Sequence, residues 1–535
     1  MSLQGFPPEG LREPFKPESL SWTQRFPLGT GGYNQSFASD SISPDEAVTL
    51  NNLRPQANGV VPVWGYTEIS TPKASPTEVL NLNFYKSLAG VSRLIMLDED
   101  DLRHWDGSAW ATVTGGGAAM TGTDQDRIRS AMVLNTFIWV NGVDEPKTWA
   151  VGDASYSDLT ADVNVPATAR HVAAFADRVV FADIGTGASR NPQRLEWSAS
   201  GAPTDFTSLG SGGATLFDTS DDSASDDIMA LKVFDEYLVI FRQRSIWVGQ
   251  RTGEVAAPIR FHSLYQGTGT VAEDSVQVVG DVGIIFLAHD NVYLFHPENR
   301  SLVPIGEPIR NRLFTDIDTS KFAKVRSAYV PHTKCYHLFF VYSGDTWAQR
   351  SSVFDVGRYL VEERFVWHDR RYTANTKNVT YAFGGQTNGL GATFTQRETK
   401  LLLGSDIGEV FETLSSATTD DGTAITWSFL SPDFNMGPRY IDPRKVGITY
   451  ASTSNVTTLD LSIIVNGSTT PITMLNNTLT TPGTLLGEIE AIIWLPAGGY
   501  GRTFNVSLTD TVANTPNLRL IGYRLGFLQR GEITT

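Results

Sequence analysis

Between residues 229 and 306 the chain writes one four-strand unit twice in succession. The first copy reads Leu231-Lys-Val-Phe234, Tyr237-Leu-Val-Ile-Phe-Arg242, Ser245-Ile-Trp-Val-Gly-Gln250 and Pro258-Ile-Arg-Phe-His-Ser-Leu264. Moved forward by 46 positions, Leu238-Val-Ile-Phe241 falls on Ile284-Ile-Phe-Leu287 and Ile246-Trp-Val248 on Val292-Tyr-Leu294 without a gap. The runs are β-branched and aromatic, and pairs such as Gly280-Asp281 and Asp290-Asn291 supply the turn chemistry of tight hairpins. Because the inner runs are almost continuously apolar, both of their faces must be covered. A lone four-stranded sheet cannot do that, whereas sheets repeated around an axis pack face on face and protect their edges. A repeat of this length with four strands is the signature of a propeller blade.

Similar runs flank the doublet. A first unit contains Leu94–Leu97, Leu102–Trp105 and Trp110–Val113, a second Ala131–Leu134, Phe137–Val140 and Lys147–Val151, and a third His171–Phe175, Arg178–Phe181 and Arg194–Trp197. A sixth opens at Val325–Val330, continues through Cys335–Phe340 and Ser352–Val356, and is completed by Lys400–Leu403 and Gly408–Phe411 after a long insertion. The sequence therefore predicts an all-β chain: a six-bladed β-propeller with insertions over 81–423, preceded by an arm over 1–80. Beyond residue 424 the strands lengthen and alternate, as in Leu459-Asp-Leu-Ser-Ile-Ile-Val465 and Arg519–Phe527, which predicts a separate C-terminal β-sandwich over 424–535.

Several functional classes lose ground on composition. The single cysteine, Cys335, excludes an internal disulfide framework and a multi-cysteine metal site, and its strand context predicts a small buried thiol. The net charge of −16 argues against a nucleic-acid glue. Met1-Ser-Leu-Gln-Gly-Phe-Pro-Pro8 has neither a basic nor an apolar leader region, so sequons such as Asn455-Val-Thr457 are expected to be unused. No apolar run approaches the ~18 residues of a membrane helix.

The densest candidate site is acidic: Asp218, Asp221, Asp222, Asp226 and Asp227 lie within ten residues. They supply the hard oxygen ligands of a calcium loop, but without the ordered spacing, central Gly and terminal Glu of an EF-hand. A solvated inter-blade connector is the favoured reading, with a lumen-facing acidic loop as a third. His332 and His337, with His289 or His296, are an odd number apart for one strand face and read as core or surface histidines rather than metal ligands. Trp105, Trp110, Trp139, Trp149, Trp197 and Trp247 recur along the units, as packing between blades would require. Asp106-Gly-Ser-Ala109 faintly resembles a sialidase Asp-box but lacks its spacing, and no Gly-x-Ser-x-Gly elbow, P-loop or His-Glu-x-x-His motif is present. Neither catalytic residues nor a cofactor or metal site is predicted.

Several stretches together resemble the propeller-containing tail hub, or nozzle, proteins of short-tailed bacteriophages. They are Ser41-Ile-Ser-Pro-Asp-Glu-Ala-Val-Thr-Leu-Asn-Asn52 with Gly65-Tyr66, Asn191–Ser198 with Pro203-Thr-Asp-Phe206, Asp281–Tyr293, Thr419–Ile425 and Ile521–Phe527. The resemblance implies a structural virion protein, assembled in the host cytoplasm into a closed ring, usually a hexamer, at the distal end of the tail. It implies an upstream adaptor ring and tail fibres or spikes as partners, and a channel that duplex DNA crosses during ejection. For such a conduit an acidic or neutral channel wall is expected, because each basic contact to phosphate adds a salt-dependent increment to binding and would retain the genome. Two other classes stay open: a glycan-binding or glycan-cleaving propeller, and a cellular propeller scaffold.

Overall fold

The strands that the sequence marks as short, apolar and turn-bounded assemble into seven blades, and the ring they form closes on itself. The computed structural model describes residues 20–69, 77–86, 92–116, 120–123, 126–159, 164–186, 189–216, 226–372, 378–385, 399–413, 417–437, 440–451, 456–465, 471–480, 488–496, 501–510 and 518–530. The repeated doublet forms blades four and five. Blade four comprises Ile228–Phe234, Tyr237–Arg242, Ser245–Arg251 and Ile259–Gln266, and blade five Gln277–Val278, Ile284–Leu287, Val292–His296 and Ser301–Pro304. The predicted two-faced burial is observed: Leu238 to Phe241 and Ile284 to Leu287 are fully buried. One face of each strand packs on the preceding blade and the other on the next, so Ile240 and Val239, although adjacent in sequence, belong to different interblade cores.

Among the described residues the count is seven blades rather than the expected six. The predicted sixth unit merges two sheets. Blade six ends with Trp367–Arg371, while Lys400–Ser405 and Val410–Thr413 belong to a seventh blade that begins at Val379–Gly385. Two physical causes hid the division. Trp367-His-Asp-Arg-Arg371 is a polar run whose burial depends on ion pairs and hydrogen bonds rather than on an apolar pattern. The outer strand of blade seven is Tyr66–Glu68, which comes from the opposite end of the propeller sequence and pairs antiparallel with Val410–Thr413. That strand lies within the stretch read as an arm. It closes the ring, so that the last blade cannot separate from the first without breaking sheet hydrogen bonds.

Several strands of residues 20–62 are woven into the C-terminal strands, while Tyr33 and Gln35 hydrogen-bond to Trp367 and Pro308. Ser21–Trp22 and Phe26–Pro27 pair with Arg519–Arg530, as does the hairpin of Leu53–Gln56 and Gly59–Pro62. Thr49–Asn51 bridges Trp367–Arg371 of blade six and Ser428–Leu430, producing one ten-stranded sheet that runs from the propeller into the sandwich. The facing sheet is built on Tyr440–Ala451 and Arg519–Arg530. Their shared core holds Val446, Ile448, Leu461, Val506 and Tyr523, and is continuous with Leu287 of blade five and Tyr336 of blade six. Gly522 and Gly526 admit the N-terminal strands: a Cβ on Gly522 would sit 2.7 Å from the Phe26 carbonyl oxygen, and one on Gly526 3.2 Å from the Trp22 ring.

No helix among the described residues is long and apolar enough to cross a membrane.

Candidate functional site

Two places concentrate buried polar groups: the seam between propeller and sandwich, and the propeller axis. At the seam, Asn52 adopts a left-handed φ of 54°. In that conformation its amide donates to the Thr426 carbonyl at 2.7 Å, while its side-chain oxygen accepts from the Arg371 backbone at 2.8 Å. Asn51 donates to Ser428 Oγ at 3.0 Å. Arg370 reaches across to Asp420 in an ion pair whose side chains are 6% and 1% exposed, and also donates to Asn52 Oδ1. Next to it Arg312 pairs with Asp369, which also accepts from Ser352 Oγ at 3.0 Å, and Trp367 Nε1 donates to the Ile305 carbonyl at 2.8 Å. Burial raises the Asp420 carboxyl even with the Arg370 guanidinium beside it. Desolvation therefore outweighs the pairing there, and in buried ion pairs of this kind removal of one partner is the costly change. Arg370→Met is expected to cost about 3–5 kcal/mol by stranding Asp420. The check is the urea midpoint, and an unchanged midpoint would mean that Asp420 is not held by this pair.

The propeller axis is a cavity of about 540 Å³ lined by the innermost strand of every blade. Its apolar part is formed by residues such as Met132, Val233 and Phe383. The N-terminal ends of the innermost strands are charged instead. Arg129 of blade two pairs with Glu273 and lies 3.4 Å from Asp274, and Arg326 of blade six lies 2.9 Å from the other Asp274 oxygen. Although burial opposes it, the charges of Arg129, Arg326 and Lys232 hold the Asp274 carboxyl down at about 2. His171 also lines the cavity, is buried, and hydrogen-bonds through Nε2 to the Ile228 carbonyl at 3.1 Å. Desolvation, helped by Arg129, lowers its pKa to about 3.

This cluster is invisible in the linear order, because its members come from different blades and meet only when the ring closes. One signal was present: Lys232 interrupts an otherwise apolar inner strand, Leu231-Lys-Val-Phe234.

Of the predicted acidic stretch, Asp218, Asp221 and Asp222 lie outside the described residues. Asp226 and Asp227 are engaged with basic groups. Asp226 accepts from the Arg244 backbone at 2.8 Å and Ser245 Oγ at 2.5 Å and lies 3.4 Å from Arg242 Nε, while Asp227 is 3.7 Å from Arg190. These two carboxylates anchor the start of blade four rather than forming part of an open ligand loop. His289 and His332 are exposed, His296 packs edge-on against Phe234, and His337 lies against Phe339. Among the described residues no group of His, Cys, Asp and Glu is arranged to hold a metal ion. Cys335 is buried, and desolvation raises its thiol to about 12. Asp106 caps its own hairpin turn by accepting from the Ser108 and Ala109 backbones, bonds that lower its pKa to about 2. Trp139 and Trp149 are 1% exposed, and Trp197 of blade three meets Phe261 of blade four at 5.8 Å between ring centroids.

The fold defines a β-propeller protein with a β-sandwich built onto it. No protein-family profile matches the chain, and no curated protein matches it. Among solved structures it is similar to YCF48 bound to a D1 peptide, with 11% identity, 68% of this chain and 99% of that chain covered, and a TM-score of 0.39. It is also similar to YCF48 from Cyanidioschyzon merolae, with 9% identity, coverage of 65% and 98%, and a TM-score of 0.39. A third is BBS1N in complex with ARL6DN, with 11% identity, coverage of 66% and 97%, and a TM-score of 0.36. These likenesses concern fold alone.

Proposed function

We propose that the chain is a structural virion protein, the subunit of a closed ring forming the distal nozzle of a short-tailed phage tail. One observation carries the reading. Four of the scattered stretches that resemble the nozzle proteins, Ser41–Asn52, Gly65-Tyr66, Thr419–Ile425 and Ile521–Phe527, come together where propeller and sandwich are joined. Thr49–Asn51 carries the sheet across, Asp420 is opposite Tyr66 in parallel register, and Ile521–Phe527 receives the N-terminal strands. A Cβ on Gly65 would run into the Thr419 carbonyl, so this approach requires glycine. Residues spent on locking two β-units into one body suit a part that transmits load. In this reading the upstream adaptor ring and the tail fibres or spikes dock on the outer surfaces, and genomic duplex passes along the axis of the assembled ring.

The purified full chain is expected to form rings, alone or with the upstream tail components, visible by negative-stain microscopy and mass photometry. A protein that stays monomeric at high concentration in both conditions would refute the assignment. The charge of −16 adds a second expectation. Duplex DNA should show no measurable binding even at low salt, where attraction to phosphate is least screened. Tight binding at low salt would rule out a conduit with a neutral or acidic wall.

A further inference from the structure

One sheet of the sandwich ends on a strand with an open edge. Ile489–Trp494 pairs antiparallel with Tyr440–Ala451 on one side and is the last strand of its sheet among the described residues. One residue further on, Leu495 donates its N–H to the Arg444 carbonyl at 2.8 Å. Backbone groups alternate sides along an antiparallel strand, so Ile489, Ala491 and Ile493 also turn theirs toward that partner, and Glu490, Ile492 and Trp494 aim theirs at the open edge. There the backbone groups meet no hydrogen-bond partner among the described residues. Such an edge is a template for another strand, and folded proteins usually blunt it with proline, a bulge, brevity or exposed charge. This strand keeps an unbroken register over its six residues, contains no proline, and carries a single charge, Glu490, which Arg524 holds at 2.5 Å. Ile492 and Trp494, 48% and 62% exposed, stand on its outer face.

The strand is complementary to itself. Run antiparallel to a second copy with Ile492 opposite Ile492, it sets Glu490 opposite Trp494, Ala491 opposite Ile493 and Ile489 opposite Leu495 of the other chain. This register keeps outer residues opposite outer and inner opposite inner, and it joins the edge-facing backbones of both copies in about six hydrogen bonds. Ile489 and Ala491, only partly buried in one copy, gain cover from Leu495 and Ile493 of the second. The charges match as well. Lys445 lies opposite Trp494 in the ladder with its ammonium 3.5 Å from the indole centroid, and it makes no ion pair among the described residues. The cross-strand row then reads Lys445, Trp494 and Glu490 of the second copy. It brings the lysine a carboxylate on the same face, and the two-fold axis repeats the arrangement on the other side.

We propose that Ile489–Trp494 is a docking edge for a second copy of this chain, joined strand to strand about a two-fold axis at Ile492, so that one sheet of each sandwich continues into the other. Main-chain hydrogen bonds supply the attachment, as in strand addition generally, while the Ile492 contact and the Lys445–Glu490 row fix the register. A two-fold contact uses the same patch on both chains and differs from the head-to-tail contacts that close a ring. The pairing is therefore separate from the assembly reading, and neither requires the other.

The test uses the full chain carrying Ile492→Cys. Directly opposite residues of such a hydrogen-bonded pair have Cα atoms about 5.5 Å apart, within the span of a disulfide, and the natural Cys335 is buried. With diamide as oxidant, Ile492→Cys is expected to form disulfide-linked dimers at least about tenfold faster than Leu209→Cys, a control at a side chain 76% exposed. In sedimentation, the parent should pair in a concentration-dependent way. Ile492→Lys, which sets two ammonium groups face to face, should weaken that pairing about tenfold or more while shifting the melting temperature of the dilute chain by less than about 2 °C. If Ile492→Lys melts much lower, the cross-linking comparison alone decides. Cross-linking no faster than the control would overturn the proposal, as would pairing untouched by Ile492→Lys in a folded chain. Cross-linking that appears only to an added tail protein would also overturn it, by giving the edge a different occupant. Rings that form without the Ile492→Cys cross-link would refute the pairing and leave the ring reading standing, whereas cross-linked pairs that never build rings would do the reverse.

Discussion

Acidification from pH 6.5 to 5 is expected to strip away much of the folding stability, because three histidines must be uncharged in the folded chain. His171, His337 and His368 are each desolvated, the last two flanking Val353 in one cross-strand row on the same sheet face. Burial, reinforced by Arg129 for His171 and by Arg370 for His337, lowers both of those to about 3. His368 is also pushed well below its ordinary value. None of their Nδ1 atoms has a hydrogen-bond partner among the described residues. A histidine with a depressed folded pKa contributes its full stability above the unfolded value near 6.5, and loses it as the pH falls toward the folded value. Each costs up to about 1.4 kcal/mol per pH unit, so the three together reach a slope of about 4 kcal/mol per unit. Asp355 and Asp420, whose carboxyls burial raises, take up protons early in the folded state and oppose the trend at its acid end. Melting temperatures measured from pH 8 to 4.5 should fall steeply below 6.5, and replacing His337 with Gln should flatten the curve by roughly one histidine's share of that slope. A melting temperature constant between pH 7 and 5 would show that these histidines are not neutral in the fold.

Ile285→Asp is expected to abolish soluble folded protein. Ile285 is fully buried in blade five, opposite Leu294 on one neighbouring strand and Gln277 on the other, within the core that continues into the sandwich. The substitution removes buried apolar volume and leaves a carboxyl with no partner in a packed interior. A combined cost above about 5 kcal/mol follows from the cavity and desolvation terms. Ile285→Val, which keeps the chemistry, should cost only about 0.5–1.5 kcal/mol. If the Asp variant were as soluble and as heat-resistant as the parent, the strand could not be covered on both faces.

What the sequence revealed depended on whether the interaction partners were neighbours along the chain. Blades four and five were legible because each is a continuous meander of apolar strands with short turns, and the sandwich because its strands alternate over long runs. Blade seven was not, since its outer strand at Tyr66 is separated by more than three hundred residues from its partner at Thr413. Trp367–Arg371 escaped notice because its burial depends on Asp420, Arg312 and Asn52, none of them near it in sequence. The acidic stretch stood out only because its charges are crowded into ten residues. Asp226 and Asp227 meet arginines that the linear sequence could not assign to them. The axial cluster is the converse case: its charges are dispersed one or two per strand, and only the closure of the ring concentrates them.

The pairing of Ser21–Trp22 and Phe26–Pro27 with Arg519–Arg530 bears on how this protein is made. Trp22 leaves the ribosome roughly 500 residues before its partner Gly526, an interval of about 25–100 s at ordinary translation rates. Throughout that time the opening segment has no sheet to join, and its strand edges are open to wrong partners. Blades three, four and five are each complete in themselves and are free to form as they emerge, whereas the sandwich must wait for Arg519–Arg530. Translation that stops anywhere short of residue 519 would yield blades without the body they are joined to. The strand Arg519–Arg530 must therefore be made before either the opening segment or Tyr440–Ala451 can find its sheet partner.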